Sequence, residues 1–471
     1  MSKKPNIIFL INDDQRFDTI GALNNPDVHT PNLDRLVERG TAFSNVHVMG
    51  SHCGAICMPS RAMIHTGRTL FHLKGDGEVI PREHTLLGEV LQEQGYQTFG
   101  VGKWHSDTGS YARSFADGGP VFFGGMDDHW NMPVCDHHPD GVYPEPRLHR
   151  WDPGTGTTQM IPKRYDRVAH GVHATTLFAE GIRDFLLDRR RSQELDPATS
   201  DQPFFVYCAF TAPHDPRTMP SEHRNRYPRG SITLPPNMWP EHPFDNGAMD
   251  IRDELLAPTP RDPRTMEQHN RDYYGMLTHM DAEVGRILDA LEATGEGENT
   301  LIIWTADHGL GVGRHGLLGK QNLYEHSVHV PLVIAGPGIP EGEIRDQYIY
   351  LLDIFPTLCD LLKLPIPSSV EGRSFLPVIQ DARGTHRDHL HLCYGTTMRG
   401  VKRDDLKLIE YVVGSERTTQ LFDLKNDPHE LNSVHENREY AEALAELRPI
   451  LREWHHTHDD PDNAFWDGSS H

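Results

Sequence analysis

Positive charge and cysteine are both scarce in this sequence. Its 471 residues include 45 Lys and Arg against 68 Asp and Glu, which gives a formal net charge of -23. A chain this acidic is a poor match for nucleic acid or an acidic membrane, so an anionic ligand would need locally clustered cations. Six cysteines are too few for a disulfide framework in a chain of this length. We therefore expect reduced thiols, most of them buried.

Long apolar runs are also missing. The one early apolar stretch, 6–11, leads directly into Asp13 and Asp14, unlike the apolar region of a signal peptide or a membrane span. We therefore expect a cytoplasmic protein with no membrane partner. Hydrophobic residues make up 37% and charged residues 24% of the chain, which is typical of a globular protein. The sequence does not indicate an oligomeric state.

What the sequence does contain is a series of short apolar runs separated by helical patterns. Five of the runs predict strands buried on both faces: 6–11, 97–101, 203–211, 300–305 and 329–335. Helices are predicted between them, at 85–94, 175–188 and 280–291. This alternation predicts an α/β/α sandwich with a large, mostly parallel sheet.

The chain changes character near residue 381. Short alternating segments at 401–411 and 419–424, followed by a helical run at 438–455, predict a small antiparallel sheet with a terminal helix. We therefore divide the chain into a catalytic α/β domain, 1–380, and a C-terminal subdomain, 381–471. Within the first part, 118–163 and 215–264 lack periodicity and predict long loops that line a binding site.

Reactive polar side chains follow four of the predicted strands. In chain order they are Asp13 with Asp14, Lys103 with His105, His214, and Asp307 with His308. Because ligands bind at the carboxyl ends of parallel strands, we expect one site to contain them all. The three carboxylates would repel one another unless a cation lay between them. Oxygen donors with one imidazole suit a hard ion, Ca²⁺ or alternatively Mg²⁺.

Cys57 lies just before a helical pattern at 60–65. Free backbone N–H groups at a helix N-terminus attract anions, so the position suits an oxyanion or a sulfate group. Two other interpretations exist. One is a buried, inert thiol, and the other is a zinc site with His52 and Cys53, although no second Cys/His pair with zinc-site spacing lies nearby.

The segment Cys57-Met58-Pro59-Ser60-Arg61, which continues to Thr66-Gly67-Arg68, resembles the C-x-P-S-R signature of the type I sulfatases in the alkaline phosphatase superfamily. Further matches follow in the family's order over nearly the whole chain: 13–14, 30–34, 102–105, 212–214, 306–309, 320–326, 330–332 and 421–428. The resemblance implies an alkaline-phosphatase-like fold and hydrolysis of sulfate esters. It also implies a maturation enzyme that oxidises Cys57 to Cα-formylglycine.

The resemblance further implies a role for each site residue. Asp13, Asp14, Asp307, His308 and the converted Cys57 would bind the metal, with His308 where many members carry Asn and a branch similar to iduronate sulfatase carries His. The remaining roles fall to five residues. Lys103 and Lys320 would hold the sulfate, Arg61 the formylglycine, His214 would protonate the leaving alcohol, and His105 would act as the base.

The substrate is expected to be a small anionic sulfate ester, and we hypothesise a sulfated carbohydrate. The first long loop is rich in side chains that suit an anionic sugar, with His129 and Arg147 as the main candidates beside Asp127, Asp128, Trp130, His137, His138, His149 and Trp151. An ordinary polar surface loop is the alternative. Two other functions stay open: a phosphatase or phosphonate-ester hydrolase of the same superfamily, and a non-catalytic anion- or glycan-binding protein whose Cys57 stays a thiol.

Overall fold

A computed structural model describes residues 3–152, 157–195 and 202–467, and in 147–152 it describes the backbone only. The strands, in chain order, are β1 (Asn6–Asn12), β2 (Gly40–His47), β3 (Gly50–Ser51), β4 (Gln97–Lys103), β5 (Asp117–Phe122), β6 (Asn131–Val134), β7 (Arg147–Asp152), β8 (Thr157–Pro162), β9 (Arg167–His170), β10 (Phe204–Ala209), β11 (Thr300–Ala306), β12 (His329–Ala335), β13 (Glu343–Arg345), β14 (Ile349–Tyr350), β15 (Leu390–Tyr394), β16 (Met398–Arg403), β17 (Leu406–Val413) and β18 (Glu416–Asp423). The helices are α1 (Pro31–Glu38), α2 (Cys57–Thr66), α3 (Leu87–Glu93), α4 (Thr108–Ser114), α5 (Ala174–Leu195), α6 (Ser221–Arg224), α7 (Pro263–Thr294), α8 (Glu325–Val328), α9 (Ile354–Leu361), α10 (Leu376–Gln380), α11 (Ala441–Thr457) and α12 (Asn463–Trp466).

A mixed sheet of mostly parallel strands forms the centre of the molecule. Its order is β13-β2-β12-β11-β1-β10-β4-β5, with β14 also paired to β2. Strand β1 pairs in parallel with both β10 and β11, and β4 continues the parallel set. All five predicted strands are confirmed. The prediction did not include β2 and β5, and β12 runs antiparallel to both of its neighbours.

Both faces of this sheet are buried, as the continuous apolar runs predict. In β1, Ile7, Phe9 and Ile11 point into one hydrophobic core, whereas Ile8 and Leu10 point into the other. Helices α1, α5 and α7 contribute to the second core, and α2, α3 and α9 contribute to the first. The α/β/α sandwich is therefore confirmed.

Helix α7 is longer than the predicted segment 280–291. It begins after Asp262, whose carboxylate accepts a hydrogen bond from the backbone N–H of Thr265 at 2.9 Å, and it ends at Gly295, which has a φ of 75°. Its first half is buried on several sides, including polar Asn270, and therefore lacks the single apolar stripe that sequence analysis detects. None of the described helices is long and apolar enough to span a bilayer.

The two stretches predicted as long loops differ from each other. Residues 118–163 contain most of β5 together with β6 and the hairpin of β7 and β8, which corrects the prediction that this stretch is loop. These are short strands at the edge or in two-stranded sheets, so a clear apolar alternation is not required. The second stretch, 215–264, is largely irregular, with α6 and a 3₁₀ turn at Arg252–Leu256.

The C-terminal sheet has the order β18-β17-β16-β15-β3. The antiparallel strands β15 to β18 and helix α11 confirm the predicted sheet with a terminal helix. The fifth strand, β3, comes from the segment just before Cys57 and pairs in parallel with β15. Trp454 and Cys393 belong to the same hydrophobic core as Phe9 of the central sheet, so the core is continuous across the predicted boundary at 380. The division into two domains stays a prediction.

A buried network of charged side chains joins the two sheets. Lys402 Nζ and Lys407 Nζ donate to the two carboxylate oxygens of Glu325, at 2.8 Å and 3.0 Å. Lys407 also pairs with Glu430, whose other oxygen accepts the backbone N–H of Glu325 at 2.8 Å. His329 Nδ1 is 3.0 Å from Oε2 of Glu325. Because all these groups are buried, their charges depend on one another for compensation.

Candidate active site

Four adjacent strands deliver the predicted site residues to one edge of the central sheet. Strands β11, β1, β10 and β4 are neighbours and all run parallel. Asp13 follows β1, Asp307 follows β11, and Lys103 is the last residue of β4. His214 lies a few residues beyond β10, and the backbone N–H of Asp13 bonds to Ala212 O at 3.2 Å. The structure thus brings together the side chains that sequence analysis placed at strand ends.

Asp13, Cys57, Asp307 and His308 form a buried group that could hold a metal ion. Each offers one ligand atom, and these atoms lie within 4.8 Å of one another. His308 Nε2 is 3.5 Å from Asp13 Oδ1 and 3.4 Å from Asp307 Oδ1. Its other nitrogen, Nδ1, is 2.9 Å from Gly309 O, which leaves Nε2 free to act as a ligand.

Two atoms in this group lack a hydrogen-bond partner among the described residues. They are Asp13 Oδ1 and His308 Nε2, both fully buried and facing each other. Buried polar atoms are seldom left unpaired in proteins, and a cation between these two would satisfy both. The donor set of carboxylate oxygens with one imidazole therefore fits a divalent metal ion.

The charges in this group also favour a cation. Burial and the nearby Asp13 carboxylate raise the pKa of Asp307 to about 6. Burial alone would lower the pKa of His308, but the carboxylates of Asp307 and Asp14 raise it to about 9. Both pKa values are raised for the same reason, which is that negative charges are crowded together out of contact with water.

Asp14 belongs to the site but has different partners. Its backbone lies in the left-handed region, with a φ of 63°, which is uncommon for a residue with a side chain. Its backbone N–H points to Asp307 Oδ1 at 3.3 Å, and its own Oδ1 accepts a hydrogen bond from Lys320 Nζ at 2.7 Å. Asp13, Asp14 and His214 form a second close group of potential ligands.

Cys57 is the first residue of α2, as the anion-binding prediction requires. Pro59 lies in the first helical turn, where the missing N–H costs no hydrogen bond. The same turn is bonded to Asp307, one of the potential metal ligands. Ser60 Oγ donates to Asp307 O at 2.6 Å, and Arg61 Nε donates to Asp307 Oδ2 at 2.9 Å. Burial would raise the pKa of the Cys57 thiol, but Lys103 and His105 lower it well below its ordinary value. A negative charge is therefore stabilised at this position.

Three buried cations surround the carboxylates. Lys103 donates to Asp13 Oδ2, and Lys320 pairs with Asp14 as described. Arg61 NH1 donates to Lys103 O at 3.1 Å, which connects the helix to the end of β4. Burial would lower the pKa of Lys320, but the carboxylates of Asp14 and Asp253 raise it well above its ordinary value. The ammonium group of Lys320 stays charged in an otherwise acidic protein.

The two predicted acid and base residues lie in the same site. His105 has a φ of 72°, and a side chain added at Gly125 would lie 3.1 Å from its Nε2. This absence of a side chain lets the loop after β5 approach His105. His214 is buried and is held through Nδ1, which is 2.9 Å from Asp215 O and 3.2 Å from Asp215 Oδ1.

The predicted substrate contacts differ in their positions. His129 is only 1% exposed, with Nε2 3.0 Å from His214 O and Nδ1 3.2 Å from Thr211 Oγ1. Both ring nitrogens are therefore engaged by the segment that carries His214, and contact of His129 with the substrate stays a prediction. Arg147, His149 and Trp151 lie in β7, and their side chains are outside the described part of the chain. His52, the zinc alternative, pairs with Asp462 at 2.9 Å.

Sequence analysis missed several polar residues around His214 and Lys320. Asp215, Arg252, Asp253 and Gln321 form a continuous hydrogen-bonded set beside these two residues. The adjacency of Asp215 to His214 was visible in the sequence. Arg252 gave no signal, because it lies in an aperiodic stretch 37 residues away from its partner.

Comparison with known proteins agrees with this geometry. A family model described as Sulfatase matches residues 5–364, and one described as N-sulphoglucosamine sulphohydrolase, C-terminal, matches residues 313–457. An arylsulfatase of Clostridium perfringens is 29% identical, covering 95% of this chain and 94% of its own length. An N-acetylglucosamine-6-O-sulfatase of Bacteroides thetaiotaomicron is 26% identical over 98% of this chain and 88% of its own. A solved structure, in complex with its substrate D-glucosamine-2-N,6-O-disulfate, superposes with a TM-score of 0.73 at 23% identity and covers 98% of this chain and 99% of its own.

Proposed function

The chain belongs to the sulfatase family and hydrolyses sulfate esters, and we propose that it removes sulfate from a carbohydrate with a nucleophile made from Cys57. One observation carries this proposal. Cys57 begins α2 beside Lys103 and His105, and it belongs to the same buried group as the unpaired atoms of Asp13 and His308. Conversion of Cys57 to Cα-formylglycine by a maturation enzyme would place an aldehyde among these residues, and addition of water to the aldehyde would give two hydroxyl groups, one of which attacks sulfur.

Each neighbouring side chain has a role in the proposed reaction. Lys103 and Lys320 hold the sulfate oxygens and stabilise the negative charge that is spread over them in the transition state. His214 gives a proton to the departing alcohol oxygen as the first hydroxyl bonds to sulfur. His105 then takes the proton of the second hydroxyl, which breaks the bond to sulfate and restores the aldehyde. Arg61 holds the modified Cys57 side chain in place through its fixed position on α2. A divalent ion on Asp13, Asp14, Asp307 and His308 would supply the positive charge that favours an ionised nucleophile.

We propose Ca²⁺ as this ion, with Mg²⁺ as the alternative. Removing divalent ions with a chelator is expected to abolish activity and to lower thermal stability, because the carboxylates would be left crowded. At an ion concentration about 100 times the Kd, the bound state gains about 2.7 kcal/mol. The ion content of the purified protein, measured by elemental analysis, should be one per chain and should be lost in Asp13→Asn. Equal melting temperatures with and without chelator would contradict the proposal.

The carbohydrate part of the proposal has indirect support. One relative is named as an N-acetylglucosamine-6-O-sulfatase, and one similar structure contains glucosamine disulfate as its bound substrate. Both are sulfated amino sugars. In this chain, the loop after β5 lies close to His105, and we propose that residues of this loop contact the alcohol part of the ester. The similarity to these proteins is what supports a sulfated sugar as the substrate class.

Matched pairs of esters test the assignment. We expect sulfated mono- and disaccharides to be hydrolysed with a higher kcat/KM than choline sulfate, and each sulfate faster than the phosphate ester of the same alcohol. Exclusive action on choline sulfate or nitrophenyl sulfate would exclude the carbohydrate substrate. Faster hydrolysis of the phosphates would instead favour a phosphate or phosphonate ester hydrolase, and no hydrolysis of any ester by protein with an intact thiol would favour a binding protein.

A further inference from the structure

Asp215 and Arg252 lie outside every role assigned above, yet Asp215 contacts the residue proposed as the acid and Arg252 pairs with Asp215. The Nδ1 of His214 is 3.2 Å from Asp215 Oδ1 and 2.9 Å from the backbone oxygen of the same residue. An imidazole held through Nδ1 has only Nε2 left to serve the reaction. The Asp215 contacts therefore fix both the ring orientation and the nitrogen that carries the transferable proton.

Asp215 is itself held in place. Arg252 binds it with two nitrogens, since NH1 is 3.2 Å from Oδ1 and NH2 pairs with Oδ2. This two-point pairing restricts the rotation of the carboxylate more than a single contact would. The carboxylate is nearly buried, with 12% of its side chain exposed, whereas the guanidinium is 45% exposed. Arg252 thus covers Asp215 from the solvent side.

The same guanidinium reaches the other side of the site. Arg252 NH1 also donates to Asp253 Oδ1 at 2.8 Å, and Asp253 Oδ2 accepts from Gln321 Nε2 at 2.9 Å. The Oε1 of Gln321 in turn accepts the backbone N–H of Lys320 at 2.9 Å. One arginine therefore connects the support of His214 with the support of Lys320, two groups from distant parts of the chain.

We propose that Asp215 is a positioning residue that aims His214 at the leaving-group oxygen, and that Arg252 holds Asp215 for this purpose. The inference rests on the proposed function, since it takes His214 as the acid. The contacts of the Asp215 carboxylate are to His214 and Arg252. Its contribution is limited to the step in which the departing oxygen receives a proton.

This limit gives a sharp test. A nitrophenolate leaves without a proton, whereas the oxygen of a sugar or a simple alcohol needs one. In Asp215→Asn we expect kcat on a sugar sulfate to fall by about 10²-fold, the lower end of what general acid catalysis contributes, while kcat on nitrophenyl sulfate falls only a few-fold. KM should change little for either ester. Arg252→Gln, at a half-exposed position, should lower the two kcat values in the same pattern but by smaller factors.

A matched control separates this role from a structural one. Asp272 also pairs with an arginine, Arg224, at 3.0 Å, but contacts none of the predicted catalytic residues. Asp272→Asn should leave the ratio of the two kcat values as in the wild type. Parallel losses on both esters in Asp215→Asn would overturn the positioning role. An unchanged kcat on the sugar sulfate in both Asp215→Asn and Arg252→Gln would overturn it as well. A wild-type enzyme without activity on any sulfate ester would overturn the proposed function together with this inference.

Discussion

Replacing Cys57 with alanine is expected to lower kcat for a sulfate ester by about 10⁴-fold to 10⁶-fold, the effect of removing a nucleophile from an otherwise intact site. The fold should survive, because α2 keeps Ser60 and Arg61, which bond it to Asp307. Steady-state rates with nitrophenyl sulfate, together with the circular dichroism spectrum of the variant, would measure both parts of this expectation.

Cys53 provides the control. It lies four residues upstream, is half-buried, and bonds to Ser51 and Ala55 and not to the site. Cys53→Ala should therefore keep activity close to the wild type. Comparable losses in both variants would mean that Cys57 acts only through the structure of its segment.

The loss in Cys57→Ala does not tell a formylglycine from a thiol, whereas the mass of the peptide does. Oxidation to the aldehyde replaces the Cβ thiol with a carbonyl, so the tryptic peptide containing Cys57 should be lighter than the unmodified one. A peptide found only as the thiol in active protein would exclude the formylglycine nucleophile and leave the family assignment intact.

Lys407→Met is expected to have the largest effect on stability. Lys407 is fully buried and balances both Glu325 and Glu430. Burial raises the pKa of Glu430 to about 7 even though Lys407 beside it acts in the opposite direction. Without the ammonium group, a buried carboxylate is left uncompensated, which costs about 3–5 kcal/mol. A lower urea midpoint at neutral pH would measure this loss.

The same variant has an expected pH dependence. A carboxyl group whose pKa is raised in the folded state favours folding when protonated, and this contribution is lost as the pH rises through the folded pKa. Removing Lys407 raises the pKa of Glu430 further, so the deficit should be larger at pH 8 than at pH 6. Lys425→Met, the same change at an exposed lysine, should stay within about 0.5 kcal/mol of the wild type at both values. Equal midpoints for the two variants would contradict the role of the network.

The buried strands and their directions were predictable only in part. Apolar runs identified β1, β4, β10, β11 and β12, because strands buried on both faces need continuous apolar side chains. Periodicity carries no information on strand direction, however, and so the antiparallel orientation of β12 was not visible. Strand β2 was missed because it mixes polar residues such as Ser44 and Asn45 with apolar ones.

For the candidate site, the sequence located the residues that end strands, since the parallel sheet itself brings Asp13, Lys103 and Asp307 together. It could not locate contacts that depend on loop conformation. The pairing of Arg252 with Asp215 is of this kind, and so is the contact of His129 with the backbone oxygen of His214. Side-chain composition of a loop does not determine which of its polar groups face the ligand.

If Cys57 is converted as proposed, strand β3 would set a time limit on that conversion. Cys57 is 4% exposed in the folded chain, so the proposed maturation enzyme would have to act while the segment is still free. That segment is completed by pairing with β15, where Gly50 lies opposite Cys393, and 336 positions separate Cys57 from Cys393. At a synthesis rate of about 5–20 residues per second, the ribosome needs about 17–67 s to make them. The slow arrival of its own C-terminal strands would thus keep the cysteine accessible during translation.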